Sequence, residues 1–161
     1  MTYDARQVAN YFIDRSQDDK IPITPLKLQK LVYLAHGWSL ALRGEPLISQ
    51  KPEAWKYGPV IPDLYHAFKK FGGSPVRDKA PFAVVGKKEF SLADRQLLKS
   101  VWERYKGLSA GQLSTLTHEP GSAWQMTVTN SWPFEPLTIS DALITEEFQR
   151  RLQKANARTA S

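Results

Sequence analysis

The sequence predicts a mainly α protein: a single compact domain of five to six helices with a small β-hairpin excursion. Three observations carry this. The stretch Thr24 to Trp38 opens with a helix start and is apolar over about half its circumference. Several other segments repeat apolar residues every three to four positions. Most glycines and prolines fall between these segments, with Gly37 inside the central one. No repeat and no long linker divides the chain, so residues 1–153 read as the domain and 154–161 as a flexible tail.

The first helix is expected from the face made by Ala5, Val8, Ala9 and Phe12, with Thr2 as its cap. Ser16 to Lys20 ends it. Ile21-Pro22-Ile23 then runs extended, because a residue before proline is pushed out of the helical region. Thr24 caps the central helix and Pro25 takes its first position, where a missing N–H costs nothing. Leu28, Leu31, Val32, Ala35 and Leu42 form its stripe, which Leu34 and Trp38 widen; a helix this apolar is central. On the other face Gln29, Tyr33, His36 and Leu40 fall together, with Lys30 and Gly37 beside them. Tyr33 and His36 either extend polar tips to water or contact a ligand or partner, and the residues alone leave both open.

Arg43-Gly44-Glu45-Pro46 is a stop and a turn. Pro46-Leu47-Ile48 and Glu53-Ala54-Trp55-Lys56 read as a two-stranded element. Tyr57-Gly58-Pro59-Val60-Ile61-Pro62 reads as a rigid connection, with Pro62 starting the next helix. That helix puts Leu64, Ala67, Phe68 and Phe71 on one side, and Gly72-Gly73 ends it. Phe82-Ala83-Val84-Val85 is a strand or a loop on the core. A further helix uses Leu92, Leu97, Leu98, Val101, Trp102 and Tyr105, with Ser91 and Asp94 as a capping box. Ser109 and Gln112 cap a short helix carrying Leu113 and Leu116. Thr117 to Trp124 is a turn with one helical turn at most. Trp132 and Phe134 press onto the core, and a final helix runs from about Ser140 through Arg151.

Among its 161 residues the chain has no cysteine, which excludes disulfides and thiolate metal sites and fits a reducing compartment. No signal peptide or apolar span is legible, so a cytoplasmic protein that does not enter a membrane is expected. The net charge of +6 is spread over both halves, without the basic face or arm of a dedicated nucleic-acid binder, and suits an acidic protein partner equally well.

Catalytic patterns are scarce. There is no thiol nucleophile and no glycine-rich phosphate loop. The three histidines, His36, His66 and His118, lie on separate elements without a carboxylate at ligand spacing, so no metal and no cofactor is expected. Glu53 and Asp63 read as two solvated acids, and His118 as bonded to the end of the helix it follows. Of five tryptophans, at least three read as core anchors whose indole N–H reaches a loop carbonyl. Trp55 differs, because the segment after it is polar, aromatic and stiff, and a stiff aromatic loop loses little entropy on docking.

Two runs of residues then become specific. Thr24-Pro25-Leu26-Lys27-Leu28-Gln29-Lys30-Leu31-Val32-Tyr33-Leu34-Ala35-His36-Gly37 is followed by Ala54-Trp55-Lys56-Tyr57-Gly58-Pro59-Val60-Ile61-Pro62-Asp63-Leu64-Tyr65. Together they resemble the Panacea domain of SocA-like and phage-associated proteins, most strongly over residues 5–72 and more weakly on to Trp124. The resemblance implies an antitoxin of a toxin–antitoxin pair, neutralising a co-encoded toxin by direct binding. One branch of the family instead delivers its toxin to a protease, and many members join the domain to a DNA-binding domain. This chain departs from that arrangement, which leaves direct repression of its own operon open; a nucleic-acid-binding regulator and a protease adaptor are the alternative functions. The family offers no catalytic residues. Its motif positions Leu28, Gln29, Lys30, Tyr33, Trp55, Tyr57, Gly58 and Pro59 serve the fold or touch the toxin. The expected partner-binding residues are Tyr33, His36, Trp55, Lys56 and Tyr57, with Trp55 and Tyr57 equally suited to locking the loop onto the core.

Overall fold

Asp4, not Thr2, starts the first helix. Tyr3 is held extended by its N–H on the Leu47 carbonyl (2.9 Å) and its carbonyl on the Ser49 N–H (2.9 Å), so the cap falls two residues later than expected and the helix begins at Ala5. The Asp4 carboxylate then accepts from the Arg6 N–H at 2.8 Å. The computed structural model describes residues 2–81, 88–129 and 137–160. The expected strand at Phe82–Val85 and the expected packing of Trp132 and Phe134 lie outside the described residues.

Seven α-helices occur among the described residues: α1 (Ala5–Asp18), α2 (Pro25–Arg43), α3 (Pro62–Phe68), α4 (Leu92–Tyr105), α5 (Ala110–Thr117), α6 (Ala123–Thr129) and α7 (Asp141–Ala160). The protein is mainly α, as its sequence predicts. The extra helix is α6, where one turn at most was expected. The last helix continues nine residues past its expected end at Arg151.

The cap chemistry of α2 is as read. Thr24 Oγ1 accepts from the Lys27 N–H, Pro25 takes the first position, and Gly44 closes the helix at φ 68°, a left-handed conformation that glycine adopts without strain. Every residue from Lys27 to Leu40 is buried, because α1, α4, α5 and α7 all pack against this one helix. Leu42 is 53 % exposed, so it leaves the stripe assigned to it. Leu92 likewise stands at the open end of α4, 73 % exposed.

At α4 only half of the expected capping box forms. Ser91 Oγ accepts from the Asp94 N–H, but the Asp94 carboxylate is taken elsewhere, by the Tyr3 hydroxyl at 2.5 Å and Arg43 at 2.5 Å. The Ser109–Gln112 box is complete.

The sheet departs from the expected pairing. Its strands are β1 (Glu53–Trp55), β2 (Gly58–Val60) and β3 (Leu137–Thr138), antiparallel in the order β2-β1-β3. Glu53 faces Val60 and Trp55 faces Gly58 across a two-residue turn, Lys56-Tyr57. The stretch read as a rigid connection is therefore a strand, and Leu47-Ile48 instead reaches only a single bridge, from Ile48 to Tyr3. Pro59 is tolerated because β2 is an edge strand whose outer side needs no ladder donor.

Three indoles are anchored by hydrogen bonds, but only Trp124 uses a carbonyl as expected, the other two donating to side chains. Trp38 donates to the Tyr105 hydroxyl (2.8 Å), Trp102 to the Asp19 carboxylate (2.7 Å) and Trp124 to the Trp55 carbonyl (2.6 Å).

Candidate protein-binding groove

The hairpin β1–β2 is fixed from below by polar groups of α2. Gln29 acts as a strand edge: its amide oxygen accepts from the Ile61 N–H (2.9 Å) and its amide nitrogen donates to the Ile61 carbonyl (3.0 Å). Lys30 Nζ donates to the Pro59 carbonyl at 2.9 Å. Beside it Gly58 has φ +119°, and a Cβ there would stand 2.8 Å from Lys30 Nζ. Only glycine fits that corner, on both backbone and steric grounds. From the other side Trp124 holds the Trp55 carbonyl, and Ser114 Oγ donates to the Tyr57 carbonyl at 3.1 Å. The turn between the strands is thus tied down through its backbone, which leaves its side chains free.

Those side chains line a groove of about 520 Å³ together with Pro25 and Leu26 of α2 and Leu64 and Tyr65 of α3. Trp55 is half-buried: its indole donates to Glu53 at 2.9 Å and its ring meets Tyr65 edge-on at 5.1 Å. Tyr57 is 71 % exposed, with the Lys56 ammonium 5.3 Å from its ring centre. Leu26 and Tyr65 are exposed as well.

Tyr33 and His36, expected to meet a partner beside the hairpin, are inside the protein at 0 % and 1 % exposure. The polar face of α2 is not a solvated edge, because β2, α5 and α7 cover it. His36 Nδ1 accepts from the Leu47 N–H (3.2 Å) and the Ile48 N–H (3.4 Å), which leaves the proton on Nε2, where it is shared with Asp141 at 2.9 Å. That hydrogen bond, ahead of the nearby Lys51 ammonium, holds the Asp141 carboxyl below the usual range. Tyr33 packs edge-on against Phe148 at 6.1 Å, and its hydroxyl has no partner among the described residues.

Residues that sequence reasoning missed are Leu26, Val60, Tyr65 and Lys69, which also line the groove. A signal existed for Tyr65. It lies off the apolar face of α3 and stays exposed, an aromatic that the core does not use.

Lys30 is fully enclosed, and burial alone pulls its pKa down to about 8. Between this value and its unfolded pKa the unfolded chain binds a proton that the folded chain does not, so stability rises with pH. Unfolding free energy is expected to gain about 2 kcal/mol between roughly pH 8 and pH 10 from Lys30 alone. Urea titrations of wild type and Lys30→Met at several pH values test this. An equal pH slope for both chains would refute it.

His118 bonds to the end of α5 through its main chain, its N–H donating to the Thr115 carbonyl at 3.3 Å, and not through its ring. Its ring lies against Trp124 at 5.5 Å, and its buried Nδ1 has no partner among the described residues. Glu53 and Asp63 do not converge either: one holds the Trp55 indole and the other the Gln50 amide. Among the described residues no three His, Asp or Glu side chains are placed to hold a metal ion, and no helix is long and apolar enough to cross a membrane.

Residues 28–125, more than half of the chain, match the family described as antitoxin SocA-like, Panacea domain. The chain belongs to this family. Antitoxin SocA of Caulobacter vibrioides (strain NA1000 / CB15N) is 33 % identical over 130 residues, spanning 76 % of this chain and 69 % of that protein. No solved structure matches. The Panacea match takes in most of α2, the hairpin, α3, α4, α5 and the start of α6, and with them all of the groove except Pro25 and Leu26. Both α1 and α7 lie outside it.

Proposed function

We propose that this protein is an antitoxin that neutralises a co-encoded toxin by binding it directly, and that it catalyses no reaction. Its relationship to an antitoxin supports the first part. The observation that carries the binding mode is the hairpin turn: Lys56-Tyr57 presents an exposed aromatic ring on a backbone already held at both flanks by α2, α5 and α6. A surface ordered before binding loses little entropy in the complex. Trp55, Lys56 and Tyr57 make the contact, while Tyr33 and His36 support it from inside by holding α2 to α7.

The adjacent reading frame expressed alone is expected to stop growth, and co-expression with this chain to restore it through a complex that survives purification. Failure of both would end the proposal. Tyr57→Ala is expected to leave thermal stability unchanged, since the ring is 71 % exposed, yet to weaken the complex by about 2 kcal/mol, as removal of a central interface aromatic does. Titration calorimetry with the purified toxin measures it. An unchanged affinity would move the interface elsewhere.

A further inference from the structure

The groove has a composition that specifies its occupant. Its lining joins the aliphatic Leu26, Val60 and Leu64 to the aromatic rings of Trp55, Tyr57 and Tyr65. The charged residues lining it are all lysines, Lys30, Lys56 and Lys69, with no aspartate or glutamate among them. Lys30 is enclosed and committed to the Pro59 carbonyl, whereas Lys56 and Lys69 stand exposed at the surface. The site therefore joins an apolar slot to a positive rim.

We propose that the groove takes an acidic peptide segment of the protein partner, one that inserts an aromatic or branched aliphatic side chain and lays carboxylates over Lys56 and Lys69. The inference rests on the antitoxin reading only for the identity of that partner. An aliphatic and aromatic lining suits an inserted side chain, and a volume of about 520 Å³ lies in the range of sites that enclose compact ligands. A nucleic acid is favoured less. Bases stack on free aromatic faces, but Trp55 and Tyr65 are turned edge to face on one another at 5.1 Å, and two exposed lysines make no track for a phosphate backbone. Carboxylates over the lysines add attraction and select register, and a basic segment would be repelled there.

A random-peptide display library panned on the full chain tests the chemistry without knowledge of the toxin. Wild type is expected to enrich peptides with aspartate or glutamate next to an aromatic or branched residue. The double variant Lys56→Glu/Lys69→Glu, which changes exposed side chains only, is expected to bind those peptides about tenfold more weakly or worse. Its own selection is expected to turn toward lysine and arginine. Tyr57→Ala is expected to lose the same peptides. No enrichment, enrichment of neutral or basic peptides, peptides indifferent to these substitutions, or binding of single-stranded oligonucleotides in place of peptides would each overturn the proposal. The growth assay separates the two readings. Rescue that persists in the double variant removes this inference and leaves the antitoxin role, whereas a wild-type chain that fails to rescue removes that role while the library still decides what the groove binds.

Discussion

Gly37→Val is expected to destabilise the protein by about 3 kcal/mol or more. A Cβ built at Gly37 would stand 2.5 Å from the Phe148 ring, far inside contact distance. The ring has nowhere to go. It is fully buried, meets Trp38 edge-on at 5.3 Å and Tyr33 at 6.1 Å, and carries the Arg151 guanidinium 5.4 Å from its centre. Either α7 moves off α2 or the ring leaves its rotamer, and both disturb the largest helix–helix contact of the fold. Glycine costs about 1 kcal/mol relative to alanine inside a helix, so its place here is explained by the closeness of α7. Denaturant midpoints measure the loss. Gly73→Ala, at an exposed site where a Cβ meets nothing within 4 Å, is the control and is expected to change little. In a double-mutant cycle, Gly37→Ala is expected to cost less when Phe148 is trimmed to leucine; additive costs would show that the ring is not what Gly37 accommodates.

His36→Ala is expected to cost about 3 kcal/mol or more, since it strands three groups at once. The Leu47 and Ile48 N–H groups lose their acceptor within the buried turn, and Asp141 at the start of α7 loses its donor. A buried donor left without a partner costs about 1–3 kcal/mol. The same residue predicts an acid dependence. Asp141 has its pKa lowered chiefly by its hydrogen bond with His36, with Lys51 a lesser cause. The stability this gives is complete above the unfolded carboxyl pKa of about 3.9 and is lost as pH falls through the lower folded value. Asp141→Asn is expected to remove that part of the acid loss. Nitrogen NMR of the imidazole offers a check that needs no mutation: a proton fixed on Nε2 at neutral pH is expected, and one on Nδ1 would contradict the hydrogen-bond pattern.

Much of the fold was legible because its signals are local. Thr24-Pro25 and Gly44 bound α2, Pro62 opens α3 and the Ser109–Gln112 box opens α5, each through chemistry contained within a few residues. The failures share a different cause. Asp94 had the right spacing for a box, but its carboxylate was claimed by Tyr3, 91 residues away. The strand over Gly58–Val60 was hidden by Pro59, because whether proline is tolerated depends on which edge of the sheet it occupies. At the groove, the hairpin residues Trp55, Lys56 and Tyr57 stood out as a stiff aromatic turn. Leu26 and Lys69 gave no such signal, since an exposed leucine or lysine becomes informative only once its neighbours are known.

By itself, then, the sequence determined where α2 begins and ends and where α3 and α5 begin, that α2 is the central helix, and that the segment after Trp55 is stiff and aromatic. Tertiary structure decided which polar groups of α2 meet water. Helical periodicity reports that Gln29, Lys30, Tyr33 and His36 share a face, but not what covers it. Here β2, α5 and α7 do. Gln29, Lys30 and His36 become internal fasteners there, because a buried backbone amide or carbonyl needs a partner wherever the chain brings it.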